Sequence, residues 1–158
     1  DMANIIKLYI PAWPVALERF FRLVVFNYIF ANGDAHLKNF SVLYLEDGEL
    51  QLAPAYDLIN THIHLDDSDF AMRDGLSPNL EKSDSYEHTG HPCQDDFRRF
   101  GLQIGLSPKR VEAVLKPFMT FPDQVQDLID KSYFADDKLK RTYWRTIEER
   151  HKRFVREA

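Results

Sequence analysis

Between Val15 and Ala31 the sequence VALERFFRLVVFNYIFA puts an apolar residue on nearly every face of a helix. A helix with almost no polar side must be wrapped by other elements, so this one is expected at the centre of a packed domain. Pro14 suits its first turn, and Asn32-Gly33 offers the left-handed position that ends helices. Glu18, Arg19, Arg22 and Asn27 interrupt the run, which therefore fails as a membrane span, and no small-residue cleavage pattern marks a signal peptide. A soluble, cytoplasmic protein with no membrane partner is expected. The single cysteine, Cys93, cannot form an internal disulfide, which agrees with a reducing compartment.

The polar stretch NGDAHLKN, Asn32 to Asn39, follows that helix. Two short β-rich runs come next, Ser41 to Leu45 and Glu49 to Ala53, around Asp47-Gly48, a pair favoured in hairpin turns. Pro54 ends the second run because it has no N–H for a ladder. From Asp66 to Pro92 turn residues and acids dominate, and the expectation is mostly loop with a short strand at Phe70 to Arg73. Helices are expected at Asp95 to Gln103, from Ser107-Pro108 to about Phe118, at Pro122 to Lys131 and at Asp137 to Arg156. The fold class is mainly α with one small β-hairpin, an α+β arrangement.

The 158 residues, 44% of them hydrophobic, suffice for one ordinary domain spanning residues 1–158. Twenty basic against 25 acidic residues give a net charge of −5, and eight of the basic ones fall in Lys138 to Ala158. That stretch is read as the solvated face of an amphipathic helix, and direct nucleic-acid binding is not expected of so acidic a chain.

Phosphoryl transfer needs a carboxylate to orient or deprotonate the attacking hydroxyl, and oxygen ligands that hold Mg²⁺ against nucleotide phosphates. In protein kinases the base lies in a loop after a buried helix, an Asn five residues later holds a metal, and an Asp beyond a short hairpin holds metal again. Here Asp34 precedes Asn39 by five positions, the hairpin follows, and Asp57 lies four residues past it. A hairpin returns the chain to where it left, so Asp57 is expected beside Asn39.

NGDAHLKNFSVLY together with LAPAYDLINT resembles the HipA family, bacterial serine/threonine kinases that act as toxins in toxin–antitoxin pairs. The likeness is strongest from Phe20 to Thr61 and continues more loosely through DDFRRFGLQIGLSPKRV. It implies a protein-kinase-like C-terminal lobe, ATP and Mg²⁺ as cofactors, a protein substrate and an antitoxin partner. By motif position Asp34 would be the catalytic base, and Asn39 and Asp57 the Mg²⁺ and nucleotide ligands. Lys38 and His36 are further catalytic candidates, as neighbours of the phosphates or as loop braces. No Arg precedes Asp34, and DLI stands where most kinases have DFG, so control by a phosphorylated activation loop is not implied.

The six glycines never form Gly-x-Gly, and neither a phosphate-covering loop nor a Walker sequence occurs. Most of the N-terminal nucleotide-binding lobe is thus expected to be absent, with little activity from the chain alone and an apolar surface left near Ile5 to Trp13 and the hairpin. A separately encoded N-terminal lobe is a further possible partner. Two other readings stand beside this one: a small-molecule kinase of the aminoglycoside or choline type, which shares the Gly-Asp-x₄-Asn loop, and a non-catalytic binding module. His62, His64, His88, His91 and Cys93 are read as loop residues rather than zinc ligands, since no second firm pair accompanies them.

Overall fold

Pro14 lies in the first turn of the central helix, where its missing N–H has no intrahelical partner to lose. In the computed structural model, which describes residues 2–65, 68–72, 74–120, 123–133 and 136–156, this helix is α2, Trp13–Ile29. Leu17, Phe21, Val25 and Tyr28 form one fully buried stripe along it, and Ala16, Phe20, Asn27 and Ile29 bury further faces. Each fully buried side chain of this size contributes on the order of 1.5–3 kcal/mol.

The rest of the chain wraps α2. Ahead of it, α1 (Met2–Tyr9) buries Ala3 and Ile6 and leaves Ile5, Leu8 and Tyr9 exposed. After it come β1 (Val42–Tyr44), β2 (Leu50–Leu52), α3 (Asp84–Thr89), α4 (Gln94–Gln103), α5 (Pro108–Leu115), α6 (Asp123–Lys131) and α7 (Asp137–Phe154), with short 3₁₀ turns at Leu37–Asn39, Thr61–Ile63 and Lys116–Phe118. Aromatic rings join these layers: Phe21 meets Phe100, Tyr28 meets Phe97, and Phe97 meets Phe154 edge-on at 5.5 Å. Gly101 lets α4 approach closely, since a Cβ there would lie 2.8 Å from Val111 Cγ2 and 3.0 Å from Phe21 Cζ.

The hairpin pairs Val42 with Leu52, Leu43 with Gln51 and Tyr44 with Leu50. Its turn is a three-residue loop. Gly48 N–H donates to Leu45 C=O at 2.9 Å, Gly48 takes φ +83°, and Leu45 N–H then bonds Glu49 C=O at 2.9 Å. This is a type I turn closed by a left-handed glycine, a geometry that Asp47-Gly48 serves well. Phe40 packs edge-on against Phe20 at 5.2 Å and so fixes the entrance of the hairpin to α2.

The mainly α architecture with one small hairpin is present. Three local expectations need correction. The left-handed residue ending α2 is Ala31, at φ +56°, rather than Asn32 or Gly33. Asn32 N–H reaches back to Asn27 C=O at 2.8 Å and Ala31 N–H to Tyr28 C=O at 3.2 Å, the bond pair of a Schellman end. The loop expected from Asp66 to Pro92 contains α3, started by Ser83, whose hydroxyl accepts from Tyr86 N–H at 3.1 Å. The described part of Phe70 to Arg73 is a bend, not a strand; Arg73 lies outside the described residues, as does Pro122, the expected start of α6. The apolar surface expected near Ile5 to Trp13 and the hairpin is present: Ile5, Leu8, Tyr9 and Trp13 are exposed, as are Leu43, Tyr44 and Leu45.

Candidate active site

The end of α2 places the loop. Because Ala31 turns the backbone sharply, Asn32 is buried, and its side-chain amide bonds in two directions, to Asn27 Oδ1 at 3.2 Å and to the backbone carbonyl of Asp57 at 3.0 Å. Thr61 adds a second clamp. Its N–H donates to Ala31 C=O at 3.1 Å, and its hydroxyl oxygen accepts from Gly33 N–H at 2.9 Å. The loop after α2 and the segment beyond the hairpin are thus tied together at both the Asn32 and the Thr61 ends.

Between these clamps Asn39 and Asp57 meet. Asn39 ends the 3₁₀ turn Leu37–Asn39, its N–H bonded to His36 C=O at 2.9 Å, and its buried side-chain amide donates to Asp57 Oδ2. Asp57 is exposed and sits at φ +55°, a left-handed backbone that costs a non-glycine residue on the order of 1–2 kcal/mol. Such strain persists where the surroundings over-determine it, and here the Asn32 bond to Asp57 C=O does so. Tyr56 OH donates to Lys38 C=O at 2.7 Å and holds the two segments together once more.

Asn39 Oδ1 is buried and has no hydrogen-bond partner among the described residues. A buried acceptor left so costs on the order of 1–3 kcal/mol, which a cation would offset. Beside it stands the Asp57 carboxylate, and two oxygen donors of this kind suit a hard cation such as Mg²⁺, which keeps several waters or phosphate oxygens in its own shell. Among the described residues no three His, Cys, Asp or Glu side chains gather as a metal site.

The other candidates occupy the same loop. Asp34 is exposed, and its backbone carbonyl accepts from His36 N–H at 2.7 Å. Lys38 is exposed, while His36 is half-buried with Nδ1 lacking a partner among the described residues. Asn39 and Asp57 are therefore in direct contact, whereas Asp34, His36 and Lys38 share the loop without a side-chain hydrogen bond to either. Asn32, Tyr56 and Thr61 complete the framework. They carry no catalytic signature in sequence, and their role emerges only once side chain meets backbone across the hairpin.

The family model for the HipA-like C-terminal domain matches residues 1–125. A Haemophilus influenzae protein named "Putative kinase" is 26% identical over 134 residues, covering 78% of this chain and 39% of that protein. A Sinorhizobium fredii protein named "Putative kinase Y4mE" is 44% identical over 121 residues, covering 71% of this chain and 27% of its own length. The chain thus spans well under half the length of either relative.

Proposed function

The chain belongs to the HipA-like C-terminal domain family, and from that premise we propose that it is the catalytic lobe of an ATP- and Mg²⁺-dependent protein serine/threonine kinase. The observation that carries this reading is the pairing of Asn39 with Asp57 beside a buried Asn39 oxygen that has no hydrogen-bond donor among the described residues. In this reading Asn39 and Asp57 hold Mg²⁺, which supplies charge neutralisation at the nucleotide phosphates. Asp34, exposed at the loop surface, accepts the proton of the attacking hydroxyl. Lys38 has its side chain in solvent and its backbone fixed by Tyr56, so it reaches toward phosphate oxygens, while His36 braces the loop.

Phosphoryl transfer depends on positioning more than on covalent chemistry, so holding both loops by Asn32, Thr61 and Tyr56 is itself a contribution to rate. In this reading the activity belongs to this lobe completed by a nucleotide-binding lobe, since the chain covers only 39% and 27% of the two curated relatives. So completed, the enzyme acts as the toxin of a toxin–antitoxin pair, with a protein substrate and an antitoxin partner.

The test is transfer of label from γ-labelled ATP, with Mg²⁺, to cell-extract protein or to the enzyme itself, using the full-length parent. Labelling that needs Mg²⁺ and disappears in Asp34→Asn supports the assignment. A parent that labels nothing, or an Asp34→Asn variant as active as its parent, removes it.

A further inference from the structure

Away from this loop, α3, the end of α7 and the residues just beyond each of them line an open pocket of about 240 Å³ formed by Ser85, Thr89, His91, Arg153 and Arg156. Pockets for drug-sized ligands run from about 300 to 1,000 Å³, so this one suits something smaller. Neither Arg153 nor Arg156 has a carboxylate within ion-pair distance among the described residues, in contrast to Arg150, which pairs with Asp69. We propose that this pocket is a binding site for a phosphate group, either the free ion or a phosphorylated side chain, held by the two guanidiniums, the Ser85 hydroxyl and the His91 ring.

The donor set fits a tetrahedral dianion. Guanidinium groups make strong, charge-assisted hydrogen bonds to phosphate, and Arg153, in the last turn of α7, and Arg156, two residues beyond its end, line the same pocket. The bland alternative is that they only complement the C-terminal dipole of α7. That dipole amounts to about half a negative charge, against two full positive charges, so an excess of positive potential remains for a ligand. Asp69, which bonds His91, is ion-paired with Arg150, and that pairing offsets part of its repulsion of an anion.

His91 makes the site proton-linked. Its Nδ1 lies 2.7 Å from Asp69 Oδ2, so in the neutral ring Nδ1–H donates to the carboxylate and Nε2 is a bare acceptor. Burial first, and then the charges of Arg153 and Arg156, hold the ring below the usual histidine range. A bound phosphate reverses the second influence and favours the imidazolium, whose Nε2–H adds a donor. By linkage, protonation of His91 and anion binding strengthen each other.

The test is a histidine-ring NMR titration of the 158-residue chain with sodium phosphate, with N-acetyl-phosphoserine amide and, as a control, with sodium chloride at matched ionic strength. Expected are a saturable shift of the His91 resonances, an upward move of its pKa in the presence of ligand, and at least tenfold weaker binding in Arg153→Gln/Arg156→Gln. Whichever of the two phosphates saturates at lower concentration identifies the source. A response that chloride reproduces, that never saturates with either phosphate, or that survives in the double variant overturns the proposal. Urea unfolding of the variant guards against loss of fold, and if it is unfolded His91→Phe takes its place in the same titration, read by the backbone amides of α3.

Discussion

Asn39 donates its side-chain amide to the carboxylate of Asp57, eighteen positions later, across the base of the hairpin. Substituting Asp57 with Asn separates charge from shape. Asn tolerates the left-handed backbone at φ +55° and can still accept from Asn39. Stability should therefore change by no more than about 0.5 kcal/mol. Phosphoryl transfer by the full-length protein should fall by at least about 100-fold, the usual loss when one preorganised electrostatic contact is removed. Urea unfolding together with label transfer from ATP checks both halves, and an active Asp57→Asn enzyme would contradict the assignment.

Gly101 tests how tightly the core is filled. Alanine in a helix is favoured over glycine by about 1 kcal/mol, whereas overpacking a well-filled core costs about 1–3 kcal/mol. With Val111 and Phe21 already inside contact distance of an added methyl, the second effect should win. Gly101→Ala is expected to lower stability by about 1 kcal/mol. A rise in the urea midpoint would mean that α4 and α5 part without cost.

Asp96 is fully buried at the start of α4, and its carboxylate accepts Ser83 N–H at 2.7 Å, the Ser83 hydroxyl at 2.8 Å and Cys93 N–H at 2.9 Å. Asp96→Ala leaves three buried donors without acceptors, each worth about 1–3 kcal/mol. A loss of about 3 kcal/mol or more is expected, measured as a lower urea midpoint with an unchanged slope. A loss under about 1 kcal/mol would show that water restores the bonds.

His151 should make stability depend on pH. Burial holds its pKa below the usual range, outweighing the pull of the Phe118 carbonyl 2.9 Å from Nε2. The unfolded chain then takes up a proton first as pH falls through about 6.5, so it binds more protons than the folded chain and stability declines on acidification. The urea midpoint should fall between pH 7.5 and pH 5.5, and fall less in His151→Gln. Equal declines in the two proteins would show that the ring protonates as readily folded as unfolded.

The central helix was legible because its apolar residues leave no polar face, and the hairpin because Asp47-Gly48 supplies its turn. Helices α4, α5 and α7 begin close to the expected Asp95, Pro108 and Asp137, with Ser107 capping α5. The contact of Asn39 with Asp57 followed from the hairpin returning on itself. Less could be read where one signal masked another. The turn-rich composition around Ser83 to Gly90 hid the short helix α3, although Ser83 is a good cap and Gly90 a good terminus. Asn32 and Thr61 act through backbone groups some 25 to 28 positions away in sequence, and such bonds leave no periodic trace. Ala31 took the left-handed position because Asn32 is needed, buried and oriented, for Asn27 and Asp57.

The family match ends at residue 125, yet α7 lies wholly beyond it, and Ile147 and Phe154 of that helix are sealed in the interior while Arg150 anchors Asp69. The span of the family model and the span of the packed core accordingly have different borders in this polypeptide. Trimming at residue 125 would uncover Phe97 and forfeit, at Phe154 alone, about 3–5 kcal/mol, a large share of what a domain this size usually possesses. Whoever expresses this lobe for crystallisation or assay needs α7 as well as the residues that the family model spans.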